Sequence, residues 1–450
     1  MNVLLTTSAA PQVSVFDTNE KRFPLGVGFL ISVLERAGHK VYFIDRYLTP
    51  TNFIGNGFLE KHGIECVGIY SNTVCFEDTI WLCSKLQGLR ERGQWKGVIA
   101  VGGPHASICP ETIPEYVDFI VRGEGEKAIL DIVEGRAKGR MQCGAHIDTL
   151  DALPMPAYHH FVDKPYMLAA GAYADDLVDS PIFSMNTSRG CPFGCTFCSV
   201  KAVWGKSYRA FSAARVVEDI EKLHRDYQIA GVFFREDHFT HSSKRTAEFC
   251  EFLLKKNFRI KWLCESRVHP LDLALLPLMK RAGCEAIFFG CESGSDRILK
   301  QIRKGITAQH IRQAVLACNK LGIRTFTTWL VGVPGETRAD RKATLRLIEE
   351  IKPFKVAVGV FVGLPGSELR QEMEDQKEIM IEDNLGLAYS RRHNRLVFHH
   401  YGVDSCKFIH PDGTVGEAPP FYRTVAPAYA FLRNVRYQSL RLAQEVFSKH

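Results

Sequence analysis

Apolar and polar positions alternate along the chain in two long series. In the first, the runs NVLLTT (2–7), KVYFID (40–45), ECVGIY (65–70), GVIAVGG (97–103) and DFIVRG (118–123) have the length and β-branched content of buried strands. Between them, GVGFLISVLERAGH (26–39) and EDTIWLCSKLQGLRERG (77–93) carry apolar residues at helical spacing, with a glycine placed to stop the first. This alternation predicts an α/β domain over residues 1–135, a doubly wound parallel sheet with helices on both faces. Such sheets take their ligands at the carboxyl ends of the strands. From 136 to 178 the pattern fades into Gly, Pro, Ala and Asp (GRAKGR, LDALPMPAYHHF, AAGAYADD), which reads as a linker.

The second series begins at 181. Its strands are PIFSMNTS (181–188), GVFFRED (231–237), IKWLCES (260–266), AIFFGCES (286–293), TFTTWLVGVP (325–334) and VAVGVFVGLP (356–365). Helices are expected at 213–227, 243–257, 272–283, 308–322 and 338–351. The succession predicts a partial (β/α)6 barrel over 179–368, with its site at the carboxyl ends of the strands. Those ends carry Glu236 and Asp237, Glu265 and Arg267, Glu292 and Ser293, and Pro334 to Glu336. Residues 369–450 are more irregular and are expected to cap the open barrel and face the substrate.

A chain of 450 residues has room for two or three cores. No apolar stretch reaches the roughly 18 to 20 residues of a membrane span. The start, MNVLLTTSAAPQVSVFD, lacks the basic region and long apolar core of a signal peptide, so a cytoplasmic protein is expected. The net charge of +7 is spread without a Lys/Arg block, which argues against nucleic acid as a partner. Most of the fourteen cysteines (Cys66, Cys75, Cys83, Cys250, Cys284 and Cys318 among them) lie in apolar segments as small hydrophobes. Only Cys191, Cys195 and Cys198 are clustered, in SRGCPFGCTFCSV (188–200).

This CxxxCxxC follows the first strand of the second series and so falls on a loop at the expected catalytic face, where Gly190 and Gly194 permit tight turns. Three thiolates hold three irons of a [4Fe–4S] cubane and leave the fourth iron open. The alternative is a structural zinc or redox site completed by Cys264, Cys291 or a histidine.

With Phe197 before its last cysteine, the motif resembles that of the radical S-adenosylmethionine (SAM) superfamily. The resemblance implies a [4Fe–4S] cluster on the three cysteines, with SAM chelating the open iron. An external one-electron reductant of flavodoxin or ferredoxin type would drive cleavage of SAM to methionine and a 5′-deoxyadenosyl radical. By the same resemblance, Glu236 or Asp237 in FREDHFT and Glu265 in CESR contact the SAM ammonium. Glu292 with Ser293 holds the ribose, Lys304 faces the methionine carboxylate, and LVGVPGET (330–337) packs near adenine.

The front domain resembles the cobalamin-binding-type domain that precedes many such barrels, through FPLGVGFLISVLERAGHKVYFID (23–45), VIAVGGPHAS (98–107) and VRGEGE (121–126). Gly102 and Gly103 would then give a corrin close access to backbone. The DxHxxG motif that supplies a lower cobalt ligand is missing, and His105 reads as a hydrogen-bonding residue rather than a ligand. Cobalamin-dependent C-methylation of an unactivated carbon in a small molecule is the activity this combination implies. The alternative is a dehydratase, deoxygenase or cyclase whose front domain does not use cobalamin. A methylthiotransferase would need three more cluster cysteines in the front domain, and Cys66, Cys75, Cys83 and Cys109 do not form that pattern. Candidate pocket residues are Trp204, Tyr208 and Arg209 after the cluster loop, and Arg391, Arg392, His393, His399, His400 and Tyr401 in the tail.

Overall fold

A computed structural model describes residues 1–9, 23–164, 166 and 181–376, and the backbone of four short strands at 379–383, 388–390, 406–409 and 415–416. The tail residues singled out at 391–401 lie outside the described residues. The chain divides into two compact units, Met1–Ser184 with Ala202–Trp204, and Met185–Lys201 with Gly205 onward.

The first unit is built on the strands β1 (Asn2–Thr7), β2 (Lys40–Asp45), β3 (Cys66–Tyr70), β4 (Val98–Gly102), β5 (Phe119–Arg122) and β6 (Met141–Cys143). They form one parallel sheet in the order β2-β1-β3-β4-β5-β6. The sixth strand comes from the stretch where periodicity fades; three residues are too few to show a pattern. Helix α1 (Leu25–Arg36) buries Val27, Phe29, Ile31 and Leu34 and ends where Gly38 takes a φ of 84°. Its Gly28 makes room for a neighbour, since a Cβ there would meet the Phe161 ring and Pro156 at 3.1 Å. Phe161, Tyr158 and Tyr166 gather around Phe23 with ring centroids 5.2 to 5.7 Å apart. The Pro/Ala-rich stretch after residue 150 is therefore packed against α1, its aromatics buried and each contributing about 2 to 3 kcal/mol by area.

The second series follows the expected pattern of six strands in sequence, the last five of them within the second unit. With β8 (Ser188–Arg189) and β9 (Arg209–Ala210) forming a small antiparallel clasp, the main sheet comprises β7 (Ile182–Met185), β10 (Gly231–Phe234), β11 (Lys261–Ser266), β12 (Cys284–Glu292), β13 (Arg324–Val331) and β14 (Lys355–Val360). Their order is β14-β13-β12-β11-β10-β7, parallel from β10 to β14, and the sheet does not close on itself.

Side-chain caps start the intervening helices. Ser212 accepts from the Arg215 amide, Ser242 from Arg245, and Thr307 and Thr337 form capping boxes with His310 and Asp340. Helix 213–227 buries Val216, Val217, Ile220 and Leu223 at the spacing of one face. The expected helix over 272–283 is shorter: a 3₁₀ turn, Leu273–Leu275, precedes a helix of Leu276–Arg281. Pro277, with no amide hydrogen to donate, occupies the first turn of that helix. Likewise β10 stops at Phe234, so Glu236 and Asp237 stand on the loop beyond it rather than in the strand.

Candidate active site at the carboxyl edge of the second sheet

The cluster loop leaves β8 and is pinned at both sides. The Thr196 amide donates to the Ile302 carbonyl (3.0 Å), the Leu369 amide donates to the Thr196 carbonyl (2.8 Å), and Cys198 N–H closes a turn on Cys195 O (3.2 Å). All three cysteines are half-buried free thiols. Burial, then the charges of Asp237 and of the other two sulfurs, pushes the Cys198 thiol up to about 11. Cys191 is raised for the same reasons, with Arg267 opposing. Thiols such as Cys191 and Cys198, held neutral by burial beside a carboxylate, become thiolates when a soft cation neutralises them. The donor set fits an iron–sulfur cluster with one open iron.

Carboxylates stand at the ends of the next strands, and their surroundings differ. Glu236 is buried and fully engaged: its carboxylate accepts from the Thr187 amide (2.6 Å) and hydroxyl (3.0 Å), and Arg245 also donates to that hydroxyl (2.7 Å). It ties the end of β10 to the strand that opens the unit. Asp237 instead is exposed to solvent, and desolvation, then Glu265, then Glu236 push it up to about 6. Glu265, one-third exposed, is paired with Arg235 at 3.3 Å.

At the end of β12, Glu292 adopts a φ of 65°, an uncommon backbone for a residue with a side chain. It forms a buried ion pair with Lys304 at 2.7 Å. Gly290 lies beneath the pair: a Cβ would stand 2.7 Å from Glu292 Oε1 and 2.9 Å from Lys304 Nζ. Ser293 does not face an open space; its hydroxyl lies 3.3 Å from Thr344 Oγ1 and accepts from the Ser295 amide (3.1 Å). In the LVGVPGET loop, Glu336 accepts from the Gly332 amide (2.8 Å) and from Arg341 (3.4 Å), and burial pushes it up to about 7.

Thr187, Arg245 and His238 are part of this arrangement but escaped the reading of the sequence, because each acts by packing under a strand end rather than by belonging to a motif. His238 is fully buried, with its ring 5.7 Å from that of Phe193 in the cluster loop, and burial lowers its pKa to about 3. The Tyr208 ring lies tilted against that of His241, with centroids 4.3 Å apart. Trp204 and Arg209 are half-buried.

The first unit offers a separate edge. Its sheet order reverses at β1, whose neighbours β2 and β3 lead away on opposite sides, so a crevice opens at the carboxyl ends of β1 and β3. Hydroxyls line it: Ser8 to Thr79 at 2.7 Å and Thr79 to Ser71 at 2.9 Å. Gly102 ends β4, and Gly103, at a φ of 102°, lets the next turn close on β3, where a Cβ would lie 2.6 Å from the Ser71 carbonyl oxygen. A polar crevice bordered by close backbone fits the rim of a corrin. His105 does not fit a cobalt ligand: its ring nitrogens face Thr73 (3.2 Å) and Thr112 (3.0 Å), its ring stacks on Phe76 at 3.9 Å, and burial lowers its pKa to about 4.

An open sheet with three loop thiols and a ring of strand-end carboxylates defines an enzyme class, and the comparisons agree with it. Residues 185–348 match the radical SAM superfamily and residues 17–133 match the B12 binding domain. An uncharacterised methyltransferase of Pyrococcus horikoshii is 31% identical, over 77% of this chain and 77% of its own. The anaerobic magnesium-protoporphyrin IX monomethyl ester cyclase of Rubrivivax gelatinosus is 27% identical, over 63% of this chain and 54% of its own. Among solved structures, the cobalamin-dependent S-adenosylmethionine radical enzyme OxsB with aqua-cobalamin bound aligns with 99% of this chain and 72% of its own, at a TM-score of 0.73 and 17% identity. The chain belongs to the radical SAM superfamily and carries a B12 binding domain in front. Its cofactors are a [4Fe–4S] cluster, SAM and cobalamin.

Proposed function

We propose that this enzyme transfers a methyl group to an unactivated carbon of a small molecule, in a cobalamin-dependent reaction started by reductive cleavage of SAM. One observation carries the reading: an open three-thiol site ringed by strand-end ionisable groups stands in the same chain as a B12 binding domain. Bound to Cys191, Cys195 and Cys198, the cluster supplies the electron that breaks a C–S bond of SAM; cobalamin, when bound, supplies methyl transfer to carbon.

The chain's own residues orient and shield. Asp237, open to solvent, receives the SAM ammonium, with Glu265 beside it; Glu236 is spent on Thr187 and acts by holding the strand end. Glu292 takes the ribose hydroxyls. Ser293 fixes the turn that follows Glu292 through its bond to the Ser295 amide. Lys304, already neutralising Glu292, turns its ammonium to the methionine carboxylate. Gly102 and Gly103 border the corrin. A one-electron reductant of flavodoxin or ferredoxin type and a reducing, cytoplasmic setting complete the reading, in keeping with the free thiols of the described cysteines.

The relative named a cyclase supports a second reading, in which the same radical start leads to ring closure. Anaerobic reconstitution, reduction in the presence of SAM and detection of 5′-deoxyadenosine test the first step, and its absence from iron-replete protein would sink both readings. Product analysis separates the two: a product carrying the labelled methyl group of SAM supports methylation, and an unmethylated, ring-closed product removes that reading in favour of the second.

A further inference from the structure

Arg267 follows β11 and is 5% exposed. Four groups fix its guanidinium. Nη1 donates to Cys195 Sγ at 3.4 Å, Nε donates to the His269 carbonyl at 3.3 Å, Nη2 donates to the Lys304 carbonyl, and the plane lies 4.0 Å from the centre of the Phe193 ring. All of its partners are neutral groups or a sulfur. Among the described residues no carboxylate forms an ion pair with it, whereas Lys304 and Arg341, also buried, are paired with Glu292 and Glu336. A cation taken out of water without a counter-ion costs several kcal/mol. The structure therefore presents a buried positive charge whose one soft partner is a cysteine of the cluster loop.

We propose that Arg267 is a positioning residue for the iron–sulfur cluster: it donates a charge-assisted hydrogen bond to the Cys195 thiolate, acts as counter-ion to the anionic cluster, and raises the cluster's reduction potential. The inference rests on the three cysteines holding the cluster. Adding an electron increases the negative charge on the cluster, so a fixed cation and a hydrogen bond to sulfur favour the reduced form. Because the two backbone carbonyls and Phe193 hold the guanidinium from the other side, the bond to sulfur is set before the cluster is reduced and demands little reorganisation. Lysine, with a single ammonium and no planar fork, keeps the charge but not this geometry.

The test is an anaerobic redox titration of the reconstituted full chain, read by electron paramagnetic resonance, with iron content measured alongside. In Arg267→Met the ratio of reduced to oxidised cluster at a fixed solution potential should fall about tenfold, equivalent to about 59 mV for one electron. Arg267→Lys should lie between that variant and the wild type. Wild-type ratios in Arg267→Met at full iron content overturn the proposal. So does a variant in which only the dissociation constant of SAM changes, since Arg267 would then be a ligand of SAM. If Arg267→Met holds no iron, the lysine variant decides: a wild-type ratio overturns the proposal, and a ratio about threefold lower supports it. Failure of the wild type itself to hold iron through these cysteines would refute the reading of the site, and is told apart by the iron content.

Discussion

Single side chains in this protein carry charge where water is scarce, and their energetics follow from what each neutralises. Glu292 and Lys304 are both under a tenth exposed and 2.7 Å apart. Lys304→Met should cost about 3 to 5 kcal/mol, because it leaves a buried carboxylate without its partner. The double variant Glu292→Gln/Lys304→Met should recover most of that loss in urea unfolding; a double variant no better than the single would refute the pairing as the cause. His105 gives a dependence of opposite chemical origin. Burial holds its folded pKa near 4, below the 6.5 of an unfolded histidine. Between those values the unfolded chain binds more protons, so stability present at pH 7.5 is lost as pH falls through 6.5 towards 4. At pH 5 the loss is about 2 kcal/mol. His105→Asn should flatten that part of the pH profile of the first unit's unfolding, and an unchanged slope would show that another group titrates there.

At the scale of strands and loops, the chain states its elements through pattern and hides what depends on three-dimensional crowding. The strands of the second sheet were legible because each is a short run rich in β-branched or aromatic residues, most of them buried in β10 to β13. Strand β6 was not, and neither was the packing of Tyr158 and Phe161 on α1, since short or Pro-rich segments lack a period. The loop of three closely spaced cysteines stands out by spacing alone. The division between Glu236 and Asp237 does not: neighbouring acids look alike in sequence, and only the position of Thr187, forty-nine residues earlier, decides which carboxylate is engaged. Gly290 is another element-level constraint invisible without the fold. Gly290→Ala would push the Glu292 and Lys304 side chains from their places, 2.7 and 2.9 Å from the new carbon. We expect SAM binding to weaken at least tenfold (about 1.4 kcal/mol) with iron content unchanged, measured by equilibrium dialysis on reconstituted protein; wild-type affinity would release Gly290 from this role.

The whole molecule joins two α/β units, and the candidate sites lie on separate residues, the three loop thiols in one unit and the β1–β3 crevice in the other. Replacing Cys191, Cys195 and Cys198 together by alanine should abolish iron binding and 5′-deoxyadenosine formation while the corrinoid absorption band persists. Loss of both would show that the front domain needs the cluster to bind its cofactor. The sheet orders carry a further consequence for how the chain is made. In the second sheet each strand from β10 onward pairs with the next in sequence: Gly231 with Lys261, Trp262 with Cys284, Ala286 with Arg324, Phe326 with Lys355. Every addition closes a loop of only a few tens of residues, so the entropy of closure stays small and nearly equal from step to step. The sheet is thus able to grow outward in the order of translation, each new strand docking on an edge left by its predecessor. Ribosome-bound chains that expose residues through β12 should already protect β10 and β11 from protease, and the edge that waits for β14 is the last to be covered.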